Sequence, residues 1–262
     1  MCELFALSAN ATVDVKLSLG ALARHGGGTG PHRDGWGVAF GDGKDFRLFK
    51  EAGPAWNSPL IECLAAHPVR SRTVLAHIRH ATRGPVAAEN TQPFVRELGG
   101  MLRVFAHNGN LGAADPADAS RVPRFMPVGE TDSEAAFCSL LNEATGEPAK
   151  PLPFELFARF AKRARDKGPA NFIYAEPGRL LVHADRRTQA SGAIEPPGLW
   201  MLGRSCMAEP PPASPVTVGA TADTVVALFA SVPLTGEAWV PIERGTIIEA
   251  ANGHVARTER AT

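Results

Sequence analysis

No stretch of the 262 residues approaches the roughly 18 consecutive apolar residues that a membrane-spanning helix needs, so no transmembrane helix is expected. No basic segment precedes a hydrophobic core at the N-terminus, which argues against a secretory signal. Net charge is missing too. The 27 Lys and Arg side chains cancel the 27 Asp and Glu, which removes the electrostatic case for a nucleic-acid or membrane-surface partner. The four cysteines (Cys2, Cys63, Cys138, Cys206) lie far apart and form no C-x-x-C pair. Neither a disulfide framework nor a zinc site is expected, and free thiols suit a reducing cytoplasm. A length of 262 residues could hold one large domain or two small ones. With no internal repeat, long linker or shift in composition, one α/β-type domain is the simplest reading. The loop Gly26-Gly27-Gly28-Thr29-Gly30-Pro31 lacks a following Gly-Lys-Ser/Thr and leaves a helical pattern rather than entering one. That makes it a poor phosphate-binding loop.

What the chain does have starts at its second residue. Met1-Cys2-Glu3-Leu4-Phe5-Ala6-Leu7 reads as a cysteine followed by a short buried strand. Removal of Met1, usual before a small residue, would put a thiol and a free α-amine on Cys2. A reference α-amine titrates near ~7.7–8 and a thiol near ~8.5, so the amine is a usable base at neutral pH. An N-terminal nucleophile can then be activated by its own amino group. Taken alone, Cys2 could equally be an ordinary small buried cysteine.

Along the chain, Val15, Leu19 and Leu22 at helical spacing predict an amphipathic helix over 12–25. Hairpin strands are expected on either side of Gly41-Asp42-Gly43-Lys44. Ser58-Pro59 opens a capped helix. A strand is expected over 73–81, where alternation puts His77 and Arg79 on one face and His80 on the other, which disfavours a His77–His80 metal pair. A strand from Met101 runs into Asn108-Gly109-Asn110. Thr131-Asp132-Ser133-Glu134 has capping-box spacing and opens a helix through Leu141. A second helix is expected over 153–167, stopped by Gly168. Strands follow over 171–175, 180–183, 199–203, 225–231 and 246–250, with a Pro210-Pro211-Pro212 loop among them and an Asn252-Gly253 hairpin turn after the last.

Arg79, Asn108-Gly109 and Asp132 each have an ordinary explanation: a surface cation, a common turn, a helix-dipole partner. Together they form a binding kit for one amino acid beside a nucleophile. Arginine can clasp an α-carboxylate in a bidentate pair, aspartate can hold an α-ammonium, and Asn and Gly at a strand end can donate to an oxyanion.

At these positions the sequence resembles the class II (N-terminal nucleophile) glutamine amidotransferases, and among them the small stand-alone bacterial YafJ-type branch. The motifs are Cys2, Arg33-Asp34-Gly35-Trp36-Gly37, Arg79-x-Ala-Thr82, His107-Asn108-Gly109 and Thr131-Asp132-Ser133-Glu134, in family order over nearly the whole chain. The stretch Val232-Pro233-Leu234-Thr235-Gly236-Glu237-Ala238-Trp239 is similar to that branch in particular. The resemblance implies an α+β N-terminal nucleophile hydrolase fold, a four-layer αββα sandwich of two antiparallel sheets between helical layers. It implies that Cys2 is the nucleophile and that Asn108 with Gly109 forms the oxyanion hole. Arg79 would bind the glutamine α-carboxylate with Thr82 nearby, Asp132 the α-ammonium, and Gly28 would lie in a loop that closes over glutamine. L-glutamine or another γ-glutamyl amide is the implied substrate, with no metal or other cofactor. Many relatives carry a histidine where this chain has Arg83. No acceptor domain is expected beyond a glutaminase domain over 1–262, so the ammonia acceptor would be a separate synthase. A γ-glutamyl amide hydrolase of a small-molecule pathway, or a partner-dependent sensor subunit, are the alternatives.

Overall fold

Short apolar runs, several of them buried on both faces, fold as antiparallel strands, and the computed structural model describes residues 2–17, 24–28, 30–112, 123–145, 151–205, 216–219 and 223–260. One sheet runs in the order β14 (Val240–Pro241), β11 (Trp200–Ser205), β13 (Val225–Ala230), β1 (Glu3–Leu17), β4 (Val69–Ile78), β2 (Trp36–Asp42), β3 (Asp45–Glu51), with β12 (Val216–Gly219) beside the far half of β1. The other runs β16 (His254–Arg260), β15 (Thr246–Ala251), β8 (Arg179–His183), β7 (Ala170–Glu176), β6 (Met101–Gly109), β5 (Phe94–Leu98). A two-stranded ribbon, β9 (Arg187–Thr188) with β10 (Ile194–Glu195), stands apart. Every strand pair among the described residues is antiparallel.

The two sheets pack face to face. Leu4 and Ala6 of β1, Leu75 of β4, Val104 and Ala106 of β6, Ile173 of β7 and Phe229 of β13 fill the space between them. The alternate residues Phe5, Leu7, Val74 and Ala76 point the other way, onto Ile61 and Leu64 of helix α1 (Pro59–Ala66). On the outer face of the second sheet lie α2 (Asp132–Ala144) and α3 (Phe154–Lys167). Phe105 of β6 stacks on Phe137 of α2 at 5.2 Å and meets Phe160 of α3 edge-on at 6.5 Å, so aromatic packing locks both helices to the strand that ends at Asn108. The layers are helix, sheet, sheet, helix: the expected αββα sandwich of the α+β class. Antiparallel pairing throughout replaces the α/β-type reading of the element pattern.

The local signals around the helices hold. Ser58 caps α1 by accepting the Ile61 N–H at 3.2 Å, and Thr131 caps α2 by accepting the Glu134 N–H at 3.2 Å. The reciprocal half of the capping box is not made with Thr131. Glu134 turns instead to Arg96 at 2.5 Å and the Gly129 N–H at 2.8 Å, tying the loop before α2 to β5.

An element assignment is corrected as well. No amphipathic helix spans 12–25: β1 continues to Leu17, paired with β4 on one side and β12 on the other. Its pairing register slips between Ser8 and Val13, which destroys the period-two pattern and leaves Val15 at a spacing that mimics a helix. Residues 18–23, with Leu19 and Leu22, lie outside the described residues, as do Cys206 and Pro210–Pro212. Arg24–Gly28 forms one irregular turn. At the other end, Asn252 and Gly253 both take positive φ, 49° and 77°, as a two-residue type I′ hairpin requires.

Candidate active site

Period two and strand direction together bring the singled-out residues to one end of the inter-sheet layer. Cys2 continues the inward face of Leu4 and Ala6, Arg79 that of Leu75 and His77, and Asn108 that of Val104 and Ala106. β1 and β4 pair antiparallel with Glu3 opposite Ile78, so Cys2 and Arg79 leave their strands side by side. The Cys2 Sγ accepts the His80 N–H at 3.3 Å and lies 3.5 Å from the His80 carbonyl. Burial pushes the Cys2 thiol up; the His80 N–H and the Arg79 charge oppose it, and the Asp132 charge adds to it. The resting group is therefore a thiol that needs a base.

Asn108 is 0 % exposed at the end of β6. Its carbonyl accepts from Asn171 Nδ2 at 2.8 Å, and its amide lies 3.0 Å from Ser231 Oγ, which also receives the Leu4 N–H at 3.0 Å. That hydroxyl links the end of β6 to the start of β1, two residues from Cys2. Gly109 has no room for a side chain: a Cβ there would sit 1.8 Å from the Pro169 carbonyl oxygen. Gly168 is pinned the same way, 2.1 Å from the Asn110 oxygen. These two glycines let the strand that carries Asn108 press against the α3–β7 junction.

Asp132 opens α2 half-buried, and its carboxylate accepts the Leu111 N–H at 2.6 Å and its neighbour Ser133's N–H at 3.0 Å. It thereby holds the segment that leaves Asn108-Gly109. Arg79 is 3 % exposed and spreads its terminal nitrogens over four carbonyls: Asp34 at 3.4 Å, Pro85 at 2.9 Å, Arg83 at 2.8 Å and Gly84 at 3.1 Å. The Arg33–Gly37 segment is laced to the same place, since Asp34 Oδ2 accepts the Ala81 N–H at 2.7 Å and the Arg79 N–H reaches Gly35 O at 2.7 Å. Thr82 is exposed three residues beyond Arg79. Gly28 is exposed, and a Cβ on it would strike the Trp56 ring at 2.9 Å. The glycine segment stays near the nucleophile because His25 Nδ1 meets Glu3 Oε2 at 2.8 Å. Burial alone would raise the Glu3 carboxyl; the His25 hydrogen bond, with the charges of His25, His32 and Arg187, outweighs it and holds the group below its ordinary value.

Three histidines sit behind the site in neutral form. Burial drives His77 down to about 3 and His183 to about 4, and lowers His107. His77 is fully enclosed and His80 half-exposed, in keeping with opposite faces. Sequence reasoning missed Ser231 and Asn171. Each is a lone polar residue whose partner is far away in the chain, and only its place at the edge of an apolar strand hinted at it.

Two antiparallel sheets packed face to face, with a near-terminal cysteine and a buried strand-end asparagine at one end of the layer between them, define a class. The class-II glutamine amidotransferase family model matches residues 1–262, and the chain belongs to that family of enzymes. More particularly, it is 38% identical to YafJ of Escherichia coli (strain K12) over 251 residues, which is 94% of this chain and 95% of YafJ. A crystal structure described as a predicted glutamine amidotransferase from Pseudomonas aeruginosa is 34% identical with a TM-score of 0.71, covering 98% of this chain and 100% of that one. The phosphoribosylpyrophosphate amidotransferase of Bacillus subtilis, at 17% identity and a TM-score of 0.62, covers 100% of this chain and 49% of that one and shares the fold.

Proposed function

We propose that this chain hydrolyses the γ-amide of L-glutamine through a thioester on Cys2, releasing ammonia or passing it to a separate acceptor enzyme. The observation that carries the reading is that the pairing of β1 with β4 and the Leu4–Ser231–Asn108 link bring the half-buried Cys2 thiol, Arg79 and the Asn108-Gly109 strand end to one end of the inter-sheet layer. With Met1 removed, the Cys2 α-amine takes the thiol proton, through a water where the two do not touch. The thiolate attacks the γ-carbonyl carbon, and Asn108 Nδ2 with the Gly109 N–H stabilises the tetrahedral oxyanion. The amine returns the proton to the leaving nitrogen, ammonia departs, and water cleaves the γ-glutamyl thioester to glutamate. Asp132 faces the α-ammonium with acceptor sites its two N–H partners leave open. Arg79 faces the α-carboxylate, exchanging part of its hold on the 83–85 carbonyls for the substrate, and Thr82 borders that end.

Asn108 and Arg79 are enclosed, so glutamine enters when a covering segment opens. The glycine segment ending at Gly28, latched by His25 to the residue after Cys2, is that cover. The glutaminase domain spans 1–262, and free thiols at Cys2, Cys63 and Cys138 suit a reducing cytoplasm. The test is ammonia release by purified protein that starts at Cys2, from glutamine and from a panel of γ-glutamyl amides. Glutamine turnover lost in Cys2→Ala supports the reading. Turnover of larger amides with none of glutamine would move the assignment to a γ-glutamyl amide hydrolase.

A further inference from the structure

Ser231, just past β13, is 0 % exposed and plays no part in the steps above. Its N–H donates to Leu4 O at 3.0 Å and its carbonyl accepts from Arg187, so its backbone is fixed from both sides. Its hydroxyl receives the Leu4 N–H and faces Asn108 Nδ2, both at 3.0 Å. In that arrangement two groups are left over. Among the described residues the Ser231 hydroxyl proton has no acceptor, and Asn108 Oδ1 is buried with no partner.

A hydroxyl offers one donor and two acceptor sites, and an amide's oxygen and nitrogen are told apart only by the network around them. Turning the Asn108 amide over removes both anomalies. Ser231 Oγ–H then donates to Oδ1 across the same 3.0 Å, while Leu4 N–H still donates to Oγ. Nδ2 moves to the place that had no partner, with both hydrogens uncommitted. A donor held without an acceptor in an enclosed site is what a developing oxyanion exploits.

We propose that Ser231 is a positioning residue whose hydroxyl, held by the Leu4 N–H, fixes the Asn108 amide with its oxygen on Ser231 and its NH2 toward the oxyanion. Asn171 holds only the Asn108 backbone, so the amide's orientation falls to Ser231. The inference rests on Asn108 being an oxyanion donor, and the experiment separates the two claims.

The full chain beginning at Cys2 is assayed for kcat and KM on its best γ-glutamyl amide, as Ser231→Ala, Ser231→Cys, Asn108→Ala and the double variant Ser231→Ala/Asn108→Ala. Asn108→Ala should lose about 10²–10³-fold in kcat. Ser231→Ala should lose about tenfold or more in kcat with KM within about threefold, because only transition-state binding is disturbed. Ser231→Cys, a weaker donor of similar size, should fall between Ser231→Ala and the parent, and it carries the comparison if Ser231→Ala does not fold. The double variant should be no slower than Asn108→Ala, since both act through one amide. Parent-like kcat in Ser231→Cys and Ser231→Ala, or losses that multiply in the double variant, would overturn the role of Ser231 alone. Parent-like kcat in Asn108→Ala would overturn the oxyanion reading itself.

Discussion

Asp132→Asn separates the anchoring role of this carboxylate from the α-ammonium contact proposed for it. The side chain accepts one N–H from Leu111 at 2.6 Å and one from Ser133 at 3.0 Å, at the first turn of α2. Asparagine keeps one acceptor oxygen, so one of those two donors loses its partner. A hydrogen bond to a charged group contributes about 1.5–3 kcal/mol, and the lost charge at the helix N-terminus about 0.3–1 kcal/mol more. The expected destabilisation is the sum, about 2–4 kcal/mol. At about 2–4 °C per kcal/mol for a chain near this size, melting should drop by at least roughly 4 °C. The functional role adds a separate loss. An α-ammonium without its counter-charge should bind at least about tenfold more weakly, since about 1.4 kcal/mol is a factor of ten. The assay pairs a melting curve with a glutamine Kd, both measured in a Cys2→Ala background that cannot turn over. Lower melting with an unchanged Kd would reduce Asp132 to a helix and loop anchor. Unchanged melting would refute the arithmetic built on its two N–H partners.

Arg79→Lys should raise KM more than it lowers kcat, because lysine has no planar fork for a carboxylate. It should also speed proteolytic cleavage near Arg83–Pro85, whose carbonyls the guanidinium now holds; unchanged KM and proteolysis together would remove Arg79 from both roles. Stability should fall with acid through a defined window. His77 and His183 are held neutral at about 3 and about 4 when folded, against about 6.5 unfolded, so between those values the unfolded chain binds more protons. Melting temperature should therefore decline as pH drops from about 6.5 towards 4, and a flat profile between pH 7 and 5 would contradict the buried, neutral assignment. Turnover of glutamine by the isolated chain should be slow, or surpassed by a larger γ-glutamyl amide, because a glycine segment gives up much backbone entropy on ordering and closure then needs contacts from the right substrate or partner. Fast hydrolysis of glutamine alone, unmatched by any other amide and unchanged by cell extract, would defeat that reasoning.

How legible these features were depends on how local their causes are. Ser58 and Thr131 announce their helices because a cap is a contact three residues long, and both were visible in the sequence. The Asn252-Gly253 turn is readable for the same reason. The course of β1 past Ser8 is not local: it follows from the register slip and from β12, whose pairing joins residues about two hundred positions apart. Glu134 has the spacing for a reciprocal cap, but Arg96 of β5 captures it, and nothing near Glu134 in the chain predicts that. The candidate site shows the same division. Cys2, Arg79, Asn108 and Asp132 stood out by residue type and order, while Ser231 and Asn171, which tie Asn108 to β1 and to Asp185, emerge only when the two sheets are packed. Arg79 stood out as a carboxylate clasp, but nothing in the sequence shows that its nitrogens already hold the 83–85 carbonyls.

The account turns on Cys2 acting as an N-terminal nucleophile, and the most direct test is to catch the acyl group on it. Protein processed to begin at Cys2 is mixed with glutamine, quenched in acid within the first turnovers and analysed by intact and peptide mass. The prediction is a gain of one glutamyl group confined to the Cys2 peptide and released by hydroxylamine. It should be absent from Cys2→Ala and from protein that retains Met1, whose Cys2 nitrogen is an amide and no longer a base. A glutamyl adduct elsewhere, or full turnover by the Met1-retaining protein, would contradict the mechanism.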